Sequence, residues 1–215
     1  PFSPLENNLI KINNMTNNYK SMKLPQRNFV AWLRLMVLLL TFGSLTHTTP
    51  GMLMKSDRKT IAMLNDLLAG ELTAVDQYLI HGEMYSDMGF GRLAEKALHE
   101  SEHEREHARA LIQRIQFLEG VAVVDKRNAL HVGNGVPAML KSDLDLEYHV
   151  VGELKKAIAA CEKAGDYVSR DMLLVQLEDT EMDHAYYLEK QLRLIDAVGL
   201  PNYLQSQMGS GAPQA

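Results

Sequence analysis

The chain has 215 residues, 46% of them hydrophobic and 23% charged, an ordinary globular composition long enough for one domain with an appendage. A single cysteine, Cys161, excludes an internal disulfide framework and a multi-cysteine zinc site. The net charge of −5 is uneven: residues 1–53 hold five basic residues against Glu6, leaving −9 on the rest, which argues against nucleic acid and suits cations as partners.

In chain order, the first segment stands apart. PFSPLENNLIKINNMTNNYKS is rich in asparagine and lacks a helical period. In MKLPQRNFVAWLRLMVLLLTFGSLTHTTPG, basic residues precede an apolar run and small polar residues follow, an order similar to a signal peptide starting at Met22. As a membrane span the run is short and is interrupted by Arg34. Met54 opens MKSDRKTIAML, a fresh start, so residues 1–53 are expected to be an upstream or targeting extension outside the folded body.

From Ser56 onward apolar residues recur at helical spacing. A first helix is expected from about Asp57 to Met88, with Gly89 as punctuation, and a second from about Phe90 to Glu119, stopped by Gly120. VAVVDKRNALHVGNGV has no clear period and forms a long connection. Pro137 starts a third helix that runs to about Ala164, before Gly165; a fourth runs from about Ser169 to Val198, before Gly199. The short apolar piece PNYLQSQM makes a fifth, and residues 209–215 read as a disordered tail. The fold class is therefore all-α: four long helices, the second and third joined by a crossover as long as the bundle, as in ferritin-like bundles.

The inward stripes carry the chemistry. In the first helix Glu71 falls between Leu68 and Val75; in the third Glu147 falls between Leu144 and Val151. The second repeats Leu93, Glu100, His107, Arg114 and, interleaved, Ala97, Glu104, Leu111, Leu118 at heptad spacing. The fourth has Leu177, Glu181, His184 and Leu188. Carboxylates in a core are costly unless paired or metal-bound. Glu104-Arg105-Glu106-His107 and Glu181-Met182-Asp183-His184 are both Glu-x-x-His units, and one further Glu on each of the other two helices completes a di-iron carboxylate pattern. A structural polar network is the competing reading. Four carboxylates and two imidazoles suit Fe, Mn or Zn.

These residues, with MKSDRKTIAMLNDLLAGELTAVDQYLIHGEMY, QRIQFLEG, MLKSDLDLE, DYVSRDMLL and VGLPNYLQSQM, resemble the bacterioferritin family over residues 54–208. The resemblance implies iron storage and a ferroxidase that oxidises Fe(II) with O2 or peroxide, in a hollow homo-oligomeric shell of 24 subunits in the cytoplasm. It implies Glu71, Glu104, His107, Glu147, Glu181 and His184 as di-iron ligands, with Tyr78 beside them. His99 and His103 would face the shell interior and hold an additional iron, or be plain surface histidines. Where the family has a haem-binding methionine, this chain has Arg105, so a homo-oligomer is expected to lack haem. DTEMDH carries one residue more than the common form, similar to a haem-less subunit type that co-assembles with a haem-binding partner; it leaves Asp179 as the alternative to Glu181, which the i,i+3 spacing favours. A subunit with a silent metal site, completing a mixed shell, is the second functional expectation.

Overall fold

The computed structural model describes residues 58–209; the predicted extension over 1–53 and the tail beyond Gly209 lie outside them. The described elements are α1 (Arg58–Asp87), α2 (Gly91–Phe117), α3 (Val136–Ala164), α4 (Tyr167–Asp179), a π-helical segment (Thr180–Ala185), α5 (Tyr186–Val198) and α6 (Leu200–Gln207). The π segment joins α4 and α5 into the predicted fourth helix. α1 packs mainly on α2, and α3 on α4 and on α1, which closes a four-helix bundle.

Helix ends follow their sequence signals. Gly165 takes the left-handed conformation (φ 71°) that ends α3, and the Asp166 side chain then accepts the Ser169 N–H at the start of α4. The inward Arg114 of α2 clamps this corner, donating to Ser169 Oγ and Asp166 Oδ1, each at 2.7 Å.

The long connection is held against one edge of α1. Asn65 Oδ1 accepts the Val123 N–H at 2.7 Å, Thr73 Oγ1 that of Asn128 at 2.8 Å, and Gln77 Oε1 that of His131 at 3.1 Å. His81 Nε2 accepts from Gly133 at 3.1 Å. These α1 side chains are four or eight residues apart and so lie in one row. They supply the backbone partners that a crossover without secondary structure of its own would otherwise lack. At its far end Gly133 lies so close to α3 that a Cβ would come within 2.3 Å of the Met139 nitrogen.

The core has two apolar halves. One gathers Leu64, Leu68, Leu111, Ile115, Leu154 and Leu173; the other gathers Tyr78, Tyr85, Leu93, Met139, Leu140 and Tyr203. The buried ionisable residues Glu71, Glu104, His107, Glu147 and His184 belong to neither cluster. Each cluster is built from at least three of the helices that carry those residues, so the apolar packing fixes the helices on which the polar side chains stand.

Candidate metal centre

Five of the six expected ligands meet. Glu71 (α1), Glu104 and His107 (α2) offer atoms within 4.8 Å of one another, and so do Glu104, Glu147 (α3) and His184 (π segment). All five are buried, at 1–6% exposure. Glu104 belongs to both groups: its carboxylate is 3.1 Å from His107 Nδ1 and 2.8 Å from His184 Nδ1. Tyr78 donates a short hydrogen bond to Glu147 Oε1, which leaves Glu147 Oε2 3.7 Å from His184 Nδ1.

The sixth expected ligand is elsewhere. Glu181 is exposed and pairs with Lys155 at 2.6 Å. The i,i+3 spacing selects Glu181 only where the helix is α-wound, but Thr180–Ala185 is π-wound, with i→i+5 hydrogen bonds. The extra residue of DTEMDH is absorbed there and turns Glu181 outward. The residue five before His184 is Asp179, whose Oδ2 lies 3.4 Å from His107 Nε2 and 4.0 Å from His103 Nε2.

His103 approaches the centre from its margin, with Nδ1 2.9 Å from His184 Nε2. Its nearby carboxylates are Glu100 and Asp183 in one group and Asp179 in another. His99 is exposed and only stacks on His103, with ring centroids 6.2 Å apart. Arg105 is exposed and holds both oxygens of Glu102, at 2.7 and 2.9 Å. Sequence reasoning gave no role to Glu100, although the heptad already placed it inward; it is 2% exposed, with one oxygen 2.8 Å from His184 Nε2.

The electrostatics fit a cation. Burial, and then the Glu104 charge, push Glu71 up to about 8 and Glu147 up to about 7. Burial also opposes charge on Glu104, but the His107 and His184 imidazoles beside it hold it well below the usual carboxylate range. Burial alone would lower His107; Glu104 and Glu71 instead raise it to about 10. Glu71 Oε2 and His184 Nδ1 are buried without an aligned hydrogen-bond partner among the described residues. A divalent cation would satisfy both. A groove of about 730 Å³ between α1 and α3 reaches Glu71 and is lined by charged groups including Lys59, Asp66, Lys126 and Glu153.

A pH dependence follows. The raised values mean that neutral Glu71 and Glu147 favour the metal-free protein; that stability is complete below the ordinary glutamate value of 4.5 and is lost as pH rises through about 7 and 8. Cation binding needs the ionised carboxylates and unprotonated imidazole nitrogens, so metal stabilisation runs the opposite way and releases protons. Saturating Mn(II) is expected to raise the melting midpoint more at about pH 8 than at about pH 5.5. An equal shift at both pH values, measured by thermal denaturation, would show that these groups do not take up the metal.

Known proteins resemble this chain over the described helices. The family described as Ferritin-like domain matches residues 61–198. A protein named bacterial ferritin from Synechocystis sp. is 52% identical over 155 residues, which cover 72% of this chain and 99% of the relative. A bacterial ferritin from Pseudomonas aeruginosa is 53% identical over 72% of this chain and all of its own length. A bacterioferritin from Brucella melitensis is 40% identical over 71% of this chain and 94% of its own.

Proposed function

The chain belongs to the ferritin-like domain family, and from that membership and its buried centre we infer that it is an iron-storage protein whose subunit oxidises ferrous iron. The observation that carries this reading is the convergence of five buried ligand groups from all four helices of the bundle, two of them with unsatisfied atoms facing the centre. Iron is substrate and cargo here. Two Fe(II) ions would be held by Glu71, Glu104, His107, Glu147 and His184, with Asp179 or Glu181 as the sixth group. Each gives up one electron, and the pair reduces dioxygen to hydrogen peroxide with uptake of two protons, or peroxide to water.

The chain's own residues prepare this reaction. Burial and the Glu104 charge favour the protonated forms of Glu71 and Glu147 when no cation is present, and Fe(II) entry displaces those protons, so the negative charges gather as the dications arrive. Tyr78 fixes the orientation of Glu147. The groove between α1 and α3 reaches Glu71 from the surface. Ferric product is stored in a hollow homo-oligomeric shell, which we assign as a 24-mer in the cytoplasm, without nucleic-acid partners. No helix among the described residues is long and apolar enough to cross a membrane.

We further infer that a homo-oligomer binds no haem. The support is that Arg105 is engaged with Glu102 and that α2 contains no methionine. A haem-binding partner subunit would have to bring its own ligands. His103, with Asp179 or Asp183 rather than His99, is the better candidate for an additional iron. The reading of the chain as a silent subunit of a mixed shell gains nothing from five ligand groups gathered in one buried centre.

The test is anaerobic Fe(II) titration of the full chain followed by oxygen. Saturation at about two Fe(II) per subunit and rapid oxidation are expected. Binding that never saturates, with oxidation no faster than in buffer, would overturn the ferroxidase reading.

A further inference from the structure

Lys96 stands on α2 two turns before Glu104 and has no part in the centre as described so far. Its Nζ is 2.5 Å from Glu100 Oε1 and 3.2 Å from Asp183 Oδ2, and it lies 5.2 Å from the centroid of the Tyr187 ring. Glu100 Oε2 in turn lies 2.8 Å from His184 Nε2. A chain of contacts therefore runs from a partly exposed ammonium, through a buried carboxylate, to one of the expected metal ligands.

His184 faces two ways. Nδ1 looks toward Glu104 and Glu147, whereas Nε2 looks toward Glu100 and His103 Nδ1. An imidazole takes a cation only through a nitrogen without a proton, and the group facing the other nitrogen decides which one that is. Glu100 has only acceptor atoms, so its carboxylate favours a proton on Nε2, and His103 Nδ1 stands beside the same nitrogen. Glu100 cannot keep this position alone. Neither of its oxygens makes an aligned hydrogen bond, and a buried carboxylate needs a charge partner. Lys96 is the cation in contact with it, with Nζ 2.5 Å from Oε1.

We propose that Lys96 is a positioning residue for metal binding: it anchors Glu100 against His184 Nε2, which fixes the ring and leaves Nδ1 free to take the cation. The proposal rests on the reading of the centre as an iron site. Glu104 and His107 bind from the same helix as Lys96, so the device uses α2 to orient a ligand that stands on the fourth helix. The Tyr187 ring and Asp183 confine the ammonium to the mouth of this site.

The test is Co(II) titration of the full chain, read by visible d–d absorption, in wild type, Lys96→Met, Lys96→Arg, Glu100→Gln and the Lys96→Met/Glu100→Gln double variant. Lys96→Met is expected to weaken Co(II) binding about tenfold, and Lys96→Arg to recover most of it. In the Glu100→Gln background, Lys96→Met is expected to change little, because its effect passes through Glu100. A merely structural role for Lys96 would lower the metal-free melting midpoint and leave the spectrum of bound Co(II) unmoved. Lys96→Met binding like wild type, or losses that simply add in the double variant, would overturn the proposal. Wild type that binds no Co(II) would overturn the metal-centre reading itself, and the proposal with it.

Discussion

Glu104→Ala is expected to abolish saturable Fe(II) binding and to slow iron oxidation by more than about 100-fold. The size of the effect follows from position. Glu104 is the one residue common to both buried ligand groups, so its carboxylate faces both places where a cation would sit. Substitutions that only disturb the orientation of a metal ligand cost about 10–100-fold in affinity or activity, and removing a shared ligand should exceed that. The fold should survive. Glu104 is the main like charge holding Glu71 and Glu147 in their raised, neutral state, after burial itself. Without it those two carboxylates ionise more readily and take over as partners of His107 and His184. Near-wild-type circular dichroism with a lost Fe(II) plateau is the expected result. A variant that saturates and oxidises iron like wild type would mean that the five residues form a polar network rather than a metal centre.

Much of this centre was legible before the fold was known. Glu71, Glu104, His107 and Glu147 stand on regular α-helices, where the apolar stripe around them tells which way they point. The crossover was legible as a long interval without period; its anchoring was not, because Asn65, Thr73, Gln77 and His81 act through backbone groups of residues more than fifty positions away. Glu181 stands outside the gathered groups for a local reason. Face assignment multiplies a fixed angle per residue, and a π segment changes that angle for the residues that follow. The signal was present as one surplus residue in DTEMDH, but a count cannot say where the helix will take up the slack. Glu100 differs: its inward position was legible, yet its contact with His184 depends on how α2 and the fourth helix meet. Lys96 gave no signal at all, since a half-exposed lysine on a helix reads as a solvated face.

The π segment also sets the second strong expectation, a contrast between Asp179 and Glu181. Asp179→Ala is expected to weaken metal binding and oxidation about 10–100-fold. Glu181→Ala should change either by less than about fivefold, since it removes an ion pair with Lys155 between two exposed side chains, worth roughly 0–1 kcal/mol. Asp179 is the last residue of α4, before the winding changes, and its carboxylate already lies 3.4 Å from His107 Nε2. Glu181 sits inside the π turn, with its neighbours Met182 and Asp183 exposed beside it. For Glu181 to reach the centre, the turn would have to rewind to α-helix and push the surplus residue elsewhere. π turns recur at functional sites because such a shift in register is within their reach. Fe(II) titrations of the two alanine variants separate the cases. A large loss for Asp179→Ala alone makes the π-wound form the working one. A large loss for Glu181→Ala alone would mean that cation binding rewinds the turn, breaks the Lys155 pair and brings in the ligand that the i,i+3 spacing selects.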